Sequence, residues 1–147
     1  MTREEACLKI HETARKELGI KETPGLEATK RIVEYHSHTT LKATSDEVAW
    51  CSAAMNFIAD EAGFSGTRSA AARSWLKWGM PLEAPILGCV VIFDRKDASN
   101  PNAAHVAVCD HPDISNGIIR VIGGNQGNAY KVSRFPANKV LGYRSPV

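Results

Sequence analysis

The chain has 147 residues, 44% of them apolar and 23% charged, with a formal net charge of +2, the balance of an ordinary soluble globule long enough to bury one core without staples. Lysine and arginine are spread without a run, which argues against a nucleic-acid reader, and no apolar stretch nears the roughly 20 residues that span a bilayer. The opening MTREEACLKIHETARKELG lacks the apolar segment of a secretory signal, so the expectation is one domain over 1–147, monomeric, made in the cytoplasm and not inserted in a membrane.

Residues 3–18 read as a helix with Cys7, Ile10, Ala14 and Leu18 on one face and Gly19 as its stop. KETPG, residues 21–25, reads as a turn, and a second helix follows over 26–37, where Ile32, Val33 and Tyr35 supply the apolar surface. His36 and His38 at its end are expected to be solvated, because neighbours at i and i+2 do not share a helix face. A polar linker then leads into DEVAWCSAAMN, residues 46–56. Here Trp50, Ala53, Ala54, Phe57, Ile58 and Ala62 keep the period of a buried helix that stops at Gly63, and Asp46 and Glu47 are candidate first-turn or capping acids.

Cys51 falls near the start of that helix. Free amides and the helix dipole favour an anion there, which shifts a thiol toward the nucleophilic thiolate, and the same amides can hold the oxyanion formed on attack. The competing reading is a small buried core residue. A fourth helix is expected after Thr67 or Ser69 with Ala71, Trp75 and Leu76 inward, ended by Gly79 and Pro81. Trp75 and Trp78 read as core and boundary aromatics, or as a shelf for sugar or peptide.

From Pro85 onward, short β-like runs replace helices: 88–93, 104–109, 117–122, 129–135 and 140–144, with 110–116 as a hairpin-like connection. Helices followed by an antiparallel meander make the fold α+β. Pairing of the second and third runs places His105 opposite the region of Gly123 to Asn125. The trio is then Cys51 as attacking group, His105 as proton carrier and Asn125 as partner of the second ring nitrogen. The four cysteines form no CxxC pair, so thiols are expected, and His105, Cys109 and His111 lack the spacing of structural zinc.

The run WCSAAMN with the later HVAV and IGGNQ resembles the NlpC/P60 and CHAP superfamily of cysteine peptidases and amidases that cut bacterial peptidoglycan. The ordered set KETPG, RIVEYH, DEVAWCSAAMNF, TRSAAARSWLKWG, HVAV, VIGGNQ and LGYR is similar to a compact branch found among phage and prophage lysis proteins, over nearly the whole chain. The resemblance implies a papain-like fold, with the nucleophile on a helix packed against an antiparallel sheet, and it implies Cys51 as nucleophile and His105 as general base and acid. Asn125 falls where CHAP domains carry an asparagine, and Gly123 where many carry a glutamate, so the third role rests on Asn125 or passes to Gln126. Cys89 stands where the family usually has an aspartate after glycine. Tyr35 matches a segment that in related enzymes supplies a tyrosine to polarise the scissile carbonyl, and equally reads as a core ring. Asp46 contacts a stem-peptide ammonium or caps the helix.

The expected function is hydrolysis of a peptidoglycan amide, as an endopeptidase or an N-acetylmuramoyl-L-alanine amidase, without metal or organic cofactor. A phage endolysin acting on the wall after release is the leading setting. A secreted antibacterial effector of the same chemistry and a non-catalytic wall-binding relative are the alternatives.

Overall fold

The structure, a computed structural model, describes residues 1–22, 29–41, 50–96 and 98–147. Thr2 opens the first helix, α1 (Arg3–Arg15): its hydroxyl accepts the Glu5 N–H at 3.1 Å, and Glu4 and Glu5 sit in the electropositive first turn. Cys7, Ile10 and Ala14 turn inward as expected, but the helix ends before Leu18, which stays exposed. The second helix, α2 (Lys30–Ser37), buries Ile32 and Tyr35; the expected start at 26 lies outside the described residues. Its final turn corrects the expectation of solvated histidines. α2 packs along the third helix, so His36 is wholly buried, and His38 hydrogen-bonds Asp60 and meets the Phe57 ring edge-on.

The third helix, α3 (Cys51–Glu61), is buried at every residue from Cys51 to Ala59. A helix apolar all round belongs inside the molecule rather than on its surface. The segment expected as a fourth helix is a short 3-10 turn, Ala72–Lys77, with no side-chain cap. Thr67 does not cap it conventionally because its Oγ1 takes the Ser69 N–H at 3.2 Å and the Ser74 hydroxyl at 2.8 Å. Among the described residues, no helix is long and apolar enough to cross a membrane.

Among the described residues six strands follow: β1 (Met80–Leu82), β2 (Val90–Asp94), β3 (Ala104–Ser115), β4 (Ile118–Gln126), β5 (Ala129–Pro136) and β6 (Val140–Ser145). They form one antiparallel sheet in the order β1-β6-β2-β3-β4-β5, so the fold is α+β as expected. β1 was not legible, being three residues with Pro81 at the centre, a residue tolerated on an edge strand. β3 runs on through the expected 110–116 connection to Ser115. The turn is Asn116-Gly117, both at positive φ (52° and 73°), the two-residue chemistry that matches strand twist. Gly127-Asn128 repeats it between β4 and β5, at 58° and 62°.

The sheet curls. Phe93 on β2 and Phe135 on β5 have ring centroids 5.2 Å apart, although three strand spacings in a flat sheet amount to roughly 14 Å. The inner face therefore holds its own core of Val91, Phe93, Ala107, Cys109, Ile119 and Val121, with Phe135, Val140 and Tyr143 folded over it. The opposite face carries Val90, Ile92, Val106, Val108 and Ile122 and receives α3, Ile10 and Ala14 of α1, and Ile32 and Tyr35 of α2. Gly124 permits α3 to approach β4 closely: a Cβ there would lie 2.6 Å from the Trp50 ring and 3.0 Å from the Ala54 Cβ.

Candidate active site

Cys51 is the first residue of α3, preceded by Trp50 at the N-cap with no side-chain cap and no acid in the first turn. The capping role expected of Asp46 concerns a residue outside those described. Three backbone N–H groups favour the Cys51 thiolate: that of Val106 on β3, that of Ser52 and that of Cys51 itself. Burial outweighs them. The side chain is 8% exposed, and loss of water pushes the thiol above its ordinary range. The expected shift toward thiolate is thus corrected, because the helix terminus and the desolvation act in opposite directions and desolvation is the larger.

His105 lies near the start of β3, 2% exposed, with its Nε2 2.9 Å from Oε1 of Gln126. The Gln126 amide is oriented by its other end, where Nε2 donates to the Lys131 carbonyl at 2.6 Å. The ring consequently donates from Nε2, which leaves the Nδ1 lone pair as its basic site. Burial is the main cause that holds the imidazole down to about 4; the Gln126 bond opposes it and the Arg95 charge adds to it. The ring stacks on Phe93 at 6.2 Å and meets Phe135 edge-on at 5.4 Å, and the Arg95 guanidinium sits 5.2 Å over the same Phe135.

Of the two candidates for the third role, Asn125 and Gln126, it is Gln126 that reaches the ring. The β3–β4 pairing reaches Val108↔Ile122, and His105 and Asn125 lie beyond that pair. The β4–β5 register then shifts between Gly123 and Gln126, and Asn125 takes a φ of 58°. This is a bulge, one extra residue that re-aims the next side chain along the strand, and it brings Gln126 rather than Asn125 to the imidazole. Gly123 leaves room for the amide, since a Cβ there would lie 2.9 Å from Oε1 of Gln126 and 2.9 Å from the Ala107 Cβ.

Cys51 and His105 approach Val106 from opposite faces of β3, so the expected thiol–imidazole pair is not formed in this structure. The sulfur lies by the Val106 amide and packs in the core that contains the Val106 side chain. The ring of the preceding residue turns to the inner face with Phe93, its direct partner across the β2–β3 ladder. Among the described residues, no hydrogen bond joins the thiol to the ring.

Tyr35 is wholly buried, stacks on Trp50 at 5.9 Å and donates its hydroxyl to Glu17 at 2.7 Å. That arrangement is the core reading, with the hydroxyl engaged by Glu17. Sequence reasoning missed Ser52 and Asn56. The Ser52 hydroxyl donates to the Ser69 carbonyl at 2.7 Å and accepts Trp75 Nε1 at 2.9 Å. The Asn56 amide donates to Ser69 O at 3.2 Å and accepts the Arg68 N–H at 2.8 Å. Both sit on one seam of α3 and hold the 65–75 segment against it. Their signal was two polar residues at i and i+4 inside an otherwise apolar helix. Trp75 is core, whereas Trp78 borders a depression of about 520 Å³ with Thr67, Arg73 and Lys77. Among the described residues, no group of three histidine, cysteine or carboxylate side chains is placed to hold a metal ion.

No protein-family model matches the chain, and no curated protein matches it. Among solved structures, it is similar to a Staphylococcus aureus subsp. aureus Mu50 protein described as similar to a lipoprotein of the NLP/P60 family. The TM-score is 0.53 and the identity 18%; the match covers 96% of this chain and 41% of that one, so the chain spans about two-fifths of that protein's length. The likeness is one of fold, an α+β arrangement of helices against an antiparallel sheet of the NLP/P60 kind.

Proposed function

We propose that the protein is a thiol hydrolase that opens an amide bond of bacterial peptidoglycan, in the setting of a phage endolysin. The observation that carries the reading is the position of Cys51 at the head of α3 against the Val106 amide, one residue along β3 from His105, whose Nε2 is held by Gln126. The NLP/P60-type fold supports it.

In this mechanism His105 Nδ1 takes the Cys51 proton as the sulfur adds to the carbonyl carbon, and the amide N–H groups at the start of α3 receive the oxyanion. The amine leaves with the proton from His105. Water, deprotonated by the same ring, then releases the acyl group. Because Cys51 and His105 both favour their neutral forms, the proton moves during attack rather than beforehand. The ring and the sulfur lie on opposite faces of β3, so this step requires the start of β3 to rearrange until Nδ1 reaches the thiol.

The absent thiol–imidazole hydrogen bond favours a second reading, a non-catalytic wall-binding relative. Incubation of the full chain with purified sacculi separates the two. Turbidity loss, soluble muropeptides bearing a new free amine by mass spectrometry, and loss of both in Cys51→Ala are expected. Sacculus binding without release, or undiminished release by the variant, overturns the hydrolase reading.

A further inference from the structure

Arg120 on β4 and Arg134 on β5 are direct partners in the sheet register. Like charges so placed destabilise a sheet unless an anion lies between or beside them. The nearest acid is already shared. Asp110 accepts His11 Nε2 at 2.7 Å, Arg15 at 3.1 Å and Arg120 Nε at 3.0 Å, pinning α1 to the β3–β4 hairpin. Burial would raise its carboxyl, but the His11 bond and the Arg120 and Arg15 charges outweigh burial and hold it below the ordinary range. Among the described residues, Arg134 has no acid partner, and neither terminal nitrogen of Arg120 has one.

Both arginines line one depression of about 410 Å³, together with His111, Asp113, Ser115 and Asn116. His111 Nδ1 accepts the Asp113 backbone N–H at 3.3 Å, so the neutral ring offers Nε2–H as a donor. Two guanidinium groups, an imidazole N–H, a hydroxyl and a carboxamide form a donor set larger than a carboxylate uses and suited to a phosphate group. Asp113 is the acid on its rim. The depression lies six residues along β3 from His105, roughly 20 Å at strand rise, so it is separate from the thiol centre.

We infer that the Arg120–Arg134 depression is a binding site for a phosphate group, borne by a polymer or a small molecule. The assignment stands apart from the hydrolase reading. Inorganic phosphate and a glycerol-phosphate oligomer are titrated into the full chain at constant ionic strength, with amide shifts as the readout and acetate as the carboxylate control. Saturable shifts centred on 111–120 and 134 are expected with either phosphate probe, the tighter probe naming the source. Arg134→Gln weakens binding roughly tenfold or more, since it removes a charge-assisted pair, and Asp113→Asn tightens it severalfold. The gain in the second variant is independent of any folding defect in the first. No saturable response, equal binding of acetate, or affinity unchanged in both variants overturns the site.

Discussion

At the scale of single residues, His105 gives the molecule one component of its pH dependence. Its imidazole is held down to about 4 against an ordinary 6.5. The unfolded chain therefore binds a proton that the folded chain refuses between these values, and stability is full above 6.5 and is lost as pH falls through the window to about 4. The loss is on the order of 3 kcal/mol. Urea melts at pH 7 and pH 4.5 should show the wild type losing more stability than His105→Gln; equal losses would place the ring in water. Under the hydrolase reading, kcat/KM keeps its acid limb near pH 4 rather than near 6.5, because Nδ1 must be unprotonated to take the thiol proton. Gln126→Leu lowers kcat and moves that limb, as expected of a positioning residue, while leaving Cys51 in place.

At the scale of elements, the docking of α3 on β4 sets where the thiol stands. Gly124 faces Trp50 and Ala54, and Trp50 directly precedes Cys51. Added volume at Gly124 thus acts on the helix terminus that carries the thiol. Gly124→Ala should cost about 1–3 kcal/mol by overpacking, read as a lower urea midpoint with an unchanged slope. A midpoint equal to that of the wild type would show that the Trp50 ring yields without moving α3. The bulge at Asn125 acts at the same scale: one extra residue in β4 exchanges which carboxamide reaches His105.

At the scale of the whole molecule, the four thiols are distinguished by burial. Cys7 of α1 and Cys89 and Cys109 are wholly buried in one cluster, and Cys51 alone of the four has measurable exposure. Burial pushes Cys7 up to about 11, and contact with Cys109 together with burial pushes Cys89 up. With iodoacetamide on the native protein, followed by peptide mass spectrometry, Cys51 should be alkylated first and the other three only as fast as the protein unfolds. Labelling of any of the three at the Cys51 rate would mean that the inner core opens locally. The slow absolute rate expected for Cys51 at neutral pH results from its raised thiol.

The α+β class, the three helices and five of the six strands were legible in the sequence, because apolar period and turn residues are local properties of the chain. So was the placing of His105 near the end of β4, where Gln126 meets its ring, since a hairpin between the second and third runs brings these ends together. Three things were decided only by tertiary structure. The direction of the Cys51 shift depended on how much water the packed sheet excludes. The choice of Gln126 over Asn125 depended on a bulge that pairing with β5 creates. The fate of His36, His38 and Tyr35 depended on which neighbouring helix covers them. Period and propensity describe a residue against its own segment, whereas burial, proton affinity and hydrogen-bond partner are set by segments far away along the chain.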